Sequence, residues 1–298
     1  MSSTEQRDPR FESVDSWPTT DAVRAMLDGQ LAAISVIRGQ TAAIATAADA
    51  AAERLQSGGR LAYAGAGTSG RVAVQDGVEL GPTFGWPEVR LVYLMAGGMG
   101  ALVHSAEGAE DDADAARAAV GANNIGAHDV LIAVAASGRT PFTVAAVDAA
   151  RGAGALTIAI ANNPDSALLA AADHALLADT GIEIIAGSTR MKAGTAQKVI
   201  LNLLSTAIML RLGRVYRGLM VDMVISNIKL LHRAIGIVQS LTGCSEADAS
   251  DALELANRDI KKAVLIAMGQ PLAAATATLN AHKGILRDAI AALARNRP

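Results

Sequence analysis

Cysteine is nearly absent. Cys244 is the single one in 298 residues, which excludes an internal disulfide framework and a cysteine-built zinc site. Aromatic residues make up only 3%, so the core has to come from closely packed Ala-rich helices and short aliphatic strands. No run of clustered Lys and Arg occurs, and the formal net charge is −3; the electrostatic footprint of a nucleic-acid binder is missing. An uncharged apolar stretch such as residues 199–210 is too short to span a bilayer. Residues 1–10 are polar and charged, without the apolar centre of a signal peptide. His104, His128, His174, His232 and His282 show no metal-ligand spacing, and there is no Walker-type phosphate loop. The expectation is a cytoplasmic globular protein that meets neither membrane nor nucleic acid and carries no metal.

What is present is a repeating order of strand, loop and helix. Residues 1–20 read as extended. Residues 21–56 read as helical, with Val23, Met26, Leu27, Leu31, Ile34 and Ile37 at helical intervals before the Gly58-Gly59 break. Strands are predicted at 60–64, 90–95, 130–135, 155–161 and 174–178. Helices are predicted at 69–79, near 100–105, at 109–120 and at 141–151. This alternation indicates an α/β fold, a parallel sheet with helices on both faces. From residue 189 the pattern is helical only, with long helices at 189–212 and 221–241 and three or four short ones up to 295. The expected division is an N-terminal segment and helix at 1–56, a sheet domain at 57–241 and a small helical subdomain at 242–298.

Three loops are rich in Gly, Ser and Thr. Gly65-Ala66-Gly67-Thr68-Ser69-Gly70 sits where a strand hands over to a helix. Its glycines allow a tight turn and close approach of a ligand, and unpaired N–H groups at the helix start attract an anion. The loop fits a dinucleotide fingerprint, but no acidic residue ends the second strand to hold a ribose. An ordinary strand-to-helix turn is the other reading of this loop taken alone. Ser137-Gly138-Arg139-Thr140-Pro141 follows the third strand, and Ser188-Thr189 precedes the long helix. Loops after parallel strands emerge on one edge, so together the three point to a pocket for a phosphorylated small molecule.

Carboxylates lie beside these loops. Glu79 closes the first loop's helix, and Glu107, Glu110, Asp111 and Asp112 cluster after the second strand. One reading pairs an acid with a base over the ligand; the other has the acidic run stabilising a helix start. His104 lies near the same region.

Several segments, taken together, resemble the N-acetylmuramic acid 6-phosphate etherases of the sugar isomerase (SIS) superfamily. They include residues 60–71, Pro82-Thr83-Phe84-Gly85, Glu107-Gly108-Ala109-Glu110-Asp111, residues 135–141 and residues 188–198, and the similarity runs from Thr4-Glu5 to Thr242-Gly243-Cys244-Ser245. The resemblance implies removal of the D-lactyl ether from N-acetylmuramate 6-phosphate, giving N-acetylglucosamine 6-phosphate and D-lactate in peptidoglycan recycling. It implies no cofactor, and a homodimer with sites near the subunit boundary. Glu79 matches the family's acid for the lactyl oxygen, and Glu110 its base at C2. Gly67, Thr68, Ser69, Gly70, Ser137, Gly138, Arg139, Thr140, Ser188 and Thr189 match its phosphate-binding loops. An acid active near neutral pH needs a raised pKa, so Glu79 is expected to be substantially buried. Around it the chain reads Gly77-Val78-Glu79-Leu80-Gly81-Pro82-Thr83 where the family usually has Ala-Ser-Glu-Cys-Pro-Pro-Thr. Asp8 stands for a usual Asn, and Ser188-Thr189 for a usual Ser-Ser. Two other functions share this architecture: a non-catalytic sugar-phosphate sensor of the glucokinase-regulator type, and a phosphosugar isomerase.

Overall fold

The computed structural model describes residues 3–295. Its contacts divide the chain into two units. The first takes the residues up to Val78 together with Glu88–Ile208; the second takes Glu79–Pro87 together with the chain from Met209 onward. The division falls at 208 and not at 241, because the 209–241 segment contributes to the C-terminal helical core.

The first unit is built on a parallel sheet of β1 (Leu61–Gly65), β2 (Leu91–Met95), β3 (Val130–Ala135), β4 (Leu156–Ala161) and β5 (His174–Leu177), in the order β2-β1-β3-β4-β5. β1, β3 and β4 are buried along their whole length, as expected of parallel strands covered on both faces. One face, carrying Ala62, Ala64, Leu131, Ala133 and Ala135, packs with α4 (Ala113–Ala122) and α5 (Pro141–Gly152). Small side chains let these helices approach closely: α5 buries Ala145, Ala146 and Ala150, and a short α6 (Ala167–Ala171) follows β4. On the sheet's helical cover, α2 (Thr41–Gln56) buries Ala47, Ala48, Ala51 and Ala52. It follows α1 (Thr19–Ser35) after a 3-10 turn at Val36–Gln40, so the predicted single helix is broken there. Residues 3–16 are not extended; they form three 3-10 turns, at Ser3–Glu5, Pro9–Phe11 and Val14–Ser16.

Arg60 and Asp129 lock the entry of β1 to that of β3. The Asp129 carboxylate accepts from Arg60 N at 2.8 Å, from Arg60 Nη2 at 2.7 Å and from Gly126 N at 3.1 Å. Burial works to raise its pKa, but the Arg60 and Gly126 hydrogen bonds outweigh it and the carboxyl titrates below its ordinary range. A depressed carboxyl stabilises the fold above the unfolded value, about 4, and that contribution disappears as pH falls through the lower folded value. Asp129→Ala is expected to cost about 2 kcal/mol at pH 7, and the difference from wild type should shrink in urea melts taken below about pH 4.

α3 (Gly67–Phe84) and α7 (Lys192–Arg211) each cross the division between the units. By length and hydropathy, α7 and the stretch Thr19–Gln56 would suffice to cross a membrane. In α7 that apolarity serves the interior: Ala193, Ala196, Ile200, Leu201, Leu204 and Ile208 are all fully buried.

The second unit opens with a two-stranded hairpin, β6 (Val215–Tyr216) and β7 (Leu219–Met220), turned by Arg217 and Gly218, both at positive φ (50° and 76°). A long helix predicted from 221 therefore starts later, as α8 (Ile228–Thr242), where the Asn227 side chain caps Leu230 N at 2.9 Å. Four short helices follow, at Glu246–Leu255, Ile260–Ala267, Leu272–Ala281 and Leu286–Arg295. Within this unit Lys261 is buried, paired with Asp222 and donating to Gly284 O at 2.8 Å. Burial lowers its pKa, and the Asp222 charge opposes that shift.

Candidate active site

Strand order reverses about β1 and β3: β2 lies outside β1, and β4 and β5 lie beyond β3. At such a switch point the loops leaving the two strands diverge and open a crevice beyond their carboxyl ends. The loops after β1 and β3 line a cavity of about 430 Å³ in that position.

Gly65 and Gly70 make the first loop possible. A Cβ on Gly65 would lie 2.8 Å from Gly70 Cα and 3.0 Å from Val134 O, and a Cβ on Gly70 would strike Met95 Sδ and Gly65 O. With backbone against backbone, α3 starts directly at the end of β1. The first N–H of this turn to close a helical bond is that of Gly70, to Ala66 O at 3.0 Å. The N–H groups of Gly67, Thr68 and Ser69 precede the ladder, available to an anion. Gly67, Thr68 and Ser69 line the cavity; Gly70 is buried behind them.

From the loop after β3, Ser137, Arg139 and Thr140 line the same cavity. Gly138 does not. It turns at φ 63° against Ser166 and shapes the loop. Pro141 opens α5 at a position where no N–H is needed.

The third loop reaches the cavity through Gly187 and Thr189, while Ser188 does not line it. α7 begins at Lys192 and not at Thr189, and its leading N–H groups are already taken. Glu183, buried, accepts from Lys192 N at 3.0 Å and Ala193 N at 2.9 Å. Burial raises the Glu183 pKa, and these two N–H bonds work against the rise. The terminus of the long helix is therefore closed to a ligand, and the loop before it meets the cavity through Gly187 and Thr189.

Glu110 lines this cavity and also an adjoining one of about 400 Å³, which Arg71, Met95, Ala101 and Glu107 help to form. It lies in a 3-10 turn, Ala109–Asp111, ahead of α4; Asp112 is the residue that caps α4, accepting from Ala115 N at 2.8 Å. The helix-start role thus falls to Asp112, leaving Glu110 free to face the cavity. His104 lines neither cavity. Glu5, Asp111 and Gly187 line the first one although the motifs did not single them out as site residues.

Glu79 departs from expectation. It is exposed, not buried. α3 buries Ala73, Val74, Asp76, Gly77 and Leu80 on one face; Gln75, Val78, Glu79 and Pro82 lie on the other. The helix also continues past Glu79 through Pro82 to Phe84. One turn before Glu79, the buried Asp76 accepts from Tyr63 OH at 3.0 Å. Burial raises its pKa, while the Ser205 and Tyr63 hydroxyls pull it down. Among the described residues no group of three His, Cys, Asp or Glu side chains is placed to hold a metal ion.

Residues 43–151 match the family described as the glucokinase regulatory protein N-terminal SIS domain, and residues 109–207 match the SIS domain. Residues 217–264 match the C-terminal lid domain of glucokinase regulatory protein. A Deinococcus radiodurans protein named N-acetylmuramic acid 6-phosphate etherase is 49% identical over 263 residues, covering 88% of this chain and 86% of that protein. The chain belongs to the N-acetylmuramic acid 6-phosphate etherase family. Other etherases of that name, from Cutibacterium acnes and Streptomyces coelicolor, are 44% and 45% identical, each over 97% of this chain and over 96% and 93% of their own lengths. In the solved structures the fold recurs in a Bacteroides fragilis protein described as a candidate phosphosugar isomerase involved in capsule formation. It has a TM-score of 0.52 and 23% identity over 65% of this chain and 91% of that one. Within the etherase family this chain's Asp8 has a local function: it accepts from Arg10 N at 2.9 Å and pairs with the Arg10 guanidinium at 2.7 Å. The Arg10 side chain and backbone bonds hold its carboxyl below the ordinary range.

Proposed function

We propose that this chain cleaves the D-lactyl ether of N-acetylmuramic acid 6-phosphate, yielding N-acetylglucosamine 6-phosphate and D-lactate, as a carbon–oxygen lyase. The observation that carries the reading is Glu110 on the wall of a cavity that also presents the helix-start N–H groups and hydroxyls of the first loop, in a chain nearly half identical to a protein of that name.

In the open-chain sugar the C2 proton is acidic because it adjoins the C1 aldehyde. Glu110 takes that proton. Electrons move into a C2–C3 double bond, the C3–O bond breaks, and the lactyl oxygen takes a proton from Glu79. Water then adds its hydroxyl to C3 of this unsaturated aldehyde and a proton returns to C2, which restores the C2–C3 single bond. Thr68, Ser69, Ser137 and Thr189 hold the phosphate. Gly70, Gly138 and Ser188 support these loops from behind; Arg139 and Thr140 sit where they meet the ester or its neighbouring hydroxyls.

Glu79 is exposed, so its own chain does not provide the exclusion of water that an acid–base site needs. A second copy of the chain over this face would supply it, and Val78 beside Glu79 is 53% exposed, an apolar surface suited to being covered. α1 presents a further apolar stripe in Val23, Leu27, Leu31 and Ile34. These features support a homodimer, and the small-molecule substrate supports a cytoplasmic setting. The test is incubation with N-acetylmuramic acid 6-phosphate. D-Lactate release is expected from wild type and a fall of about 100-fold in kcat from Glu79→Gln. Wild type that binds the sugar phosphate without releasing lactate would instead support a sensor of the glucokinase-regulator type.

A further inference from the structure

The N-terminal turn Ser3–Glu5 is built into the cavity wall. Thr4 is fully buried although it is polar and close to the chain end. Its carbonyl accepts from Gly187 N at 3.0 Å, and its hydroxyl accepts from Asn163 Nδ2 at 3.1 Å. Asn163 in turn accepts from Ser3 N at 2.7 Å and donates to Ala136 O at 2.8 Å. Two of the three cradle loops, at Ala136 and at Gly187, are thus tied to one short segment. The residue this anchor delivers to the cavity is Glu5. Its carboxylate lies 3.0 Å from where a Cβ on Gly187 would stand, and it lines the cavity with Thr68, Ser137 and Thr189.

A carboxylate beside a phosphate cradle repels the phosphate, so its presence there calls for a compensating contact. A carboxylate is an acceptor only, and it can take hydrogen bonds from two neighbouring hydroxyls. The open-chain substrate carries two adjacent hydroxyls, on C4 and C5, next to its phosphorylated carbon. We infer that Glu5 is a specificity-determining residue that accepts from these hydroxyls, so that the cavity takes a polyhydroxy phosphate ester and disfavours phosphate without hydroxyls. This rests on the reading of the cavity given above. A site built to hydrogen-bond a hydroxyl discriminates strongly against analogues that lack it, and the like charge adds a repulsive element against the bare anion.

The experiment is calorimetric titration of wild type, Glu5→Gln and Glu5→Asp with glucitol 6-phosphate, an open-chain sugar phosphate that carries both hydroxyls, and with inorganic phosphate, alongside a D-lactate assay of each. Glu5→Gln should bind the sugar phosphate at least about 10-fold more weakly, bind inorganic phosphate equally or more tightly, and raise KM with kcat within about two-fold. Glu5→Asp should recover part of the sugar-phosphate affinity. Unchanged sugar-phosphate affinity in Glu5→Gln overturns the inference, as does parallel weakening of both ligands, which marks a purely structural turn. Failure of the etherase reading is separate: it appears as absence of lactate release from wild type, whatever the titrations show.

Discussion

Glu110→Gln is expected to abolish measurable lactate release, with kcat lowered by about 1,000-fold or more. Loss of a positioned general base costs about 100- to 10,000-fold, and water in an open cavity is a poor substitute at carbon. The amide keeps the shape and hydrogen-bonding reach of the acid but cannot hold the C2 proton. Affinity for the product should stay within a few-fold of wild type, because the residues proposed to hold the phosphate lie on other loops. A second readout separates the two glutamates. In deuterated water, Glu110→Gln should stop exchange of the C2 proton as well as turnover, whereas Glu79→Gln should leave C2 exchange measurable. Exchange that survives in Glu110→Gln would move the base to another residue, with Glu107 and Asp111 as the neighbours to examine.

Gly70→Ala should damage the cradle far more than Gly67→Ala. At Gly70 an added methyl meets Met95 Sδ and lies 2.7 Å from Gly65 O, so either β1 or the start of α3 has to move. Overpacking of this kind costs about 1–3 kcal/mol. The shift also misplaces the N–H groups of Thr68 and Ser69, and phosphate-ester affinity should fall by 10-fold or more, about 1.4 kcal/mol. At Gly67 the backbone is left-handed (φ 51°), but nothing lies within 4 Å of an added methyl, so the cost is the conformational one of about 1 kcal/mol. Denaturant melts with product titrations compare the pair. Equal effects of the two substitutions would argue against backbone packing as what shapes the loop.

The sheet was readable because its strands are uninterrupted runs of small and branched apolar residues between glycine-bearing turns. Residues 130–135 read directly as β3. The β6–β7 hairpin was missed: two-residue strands carry no periodic signal, and its turn uses Arg217, not a residue typical of positive φ. The Gly-, Ser- and Thr-rich loops that line the cavity stand out by composition, but composition does not say which N–H groups remain free. Glu183 pre-empts the start of α7 from nine residues upstream, where nothing in its neighbours marks it as a cap. Glu79 could be named from the resemblance, yet its exposure follows from which face of α3 packs inward, a property of the assembled helix. Glu5 reaches the cavity only through the burial of Thr4, a contact across about 160 residues of chain.

The most direct test of this chemistry is turnover of N-acetylmuramic acid 6-phosphate in ¹⁸O-water, with mass analysis of both products. Elimination followed by water addition predicts one heavy oxygen at C3 of N-acetylglucosamine 6-phosphate and none on the lactate C2 hydroxyl. Heavy oxygen in that lactate hydroxyl, with an unlabelled sugar, would mean that water attacks the lactyl carbon, and the roles given to Glu110 and Glu79 would be wrong.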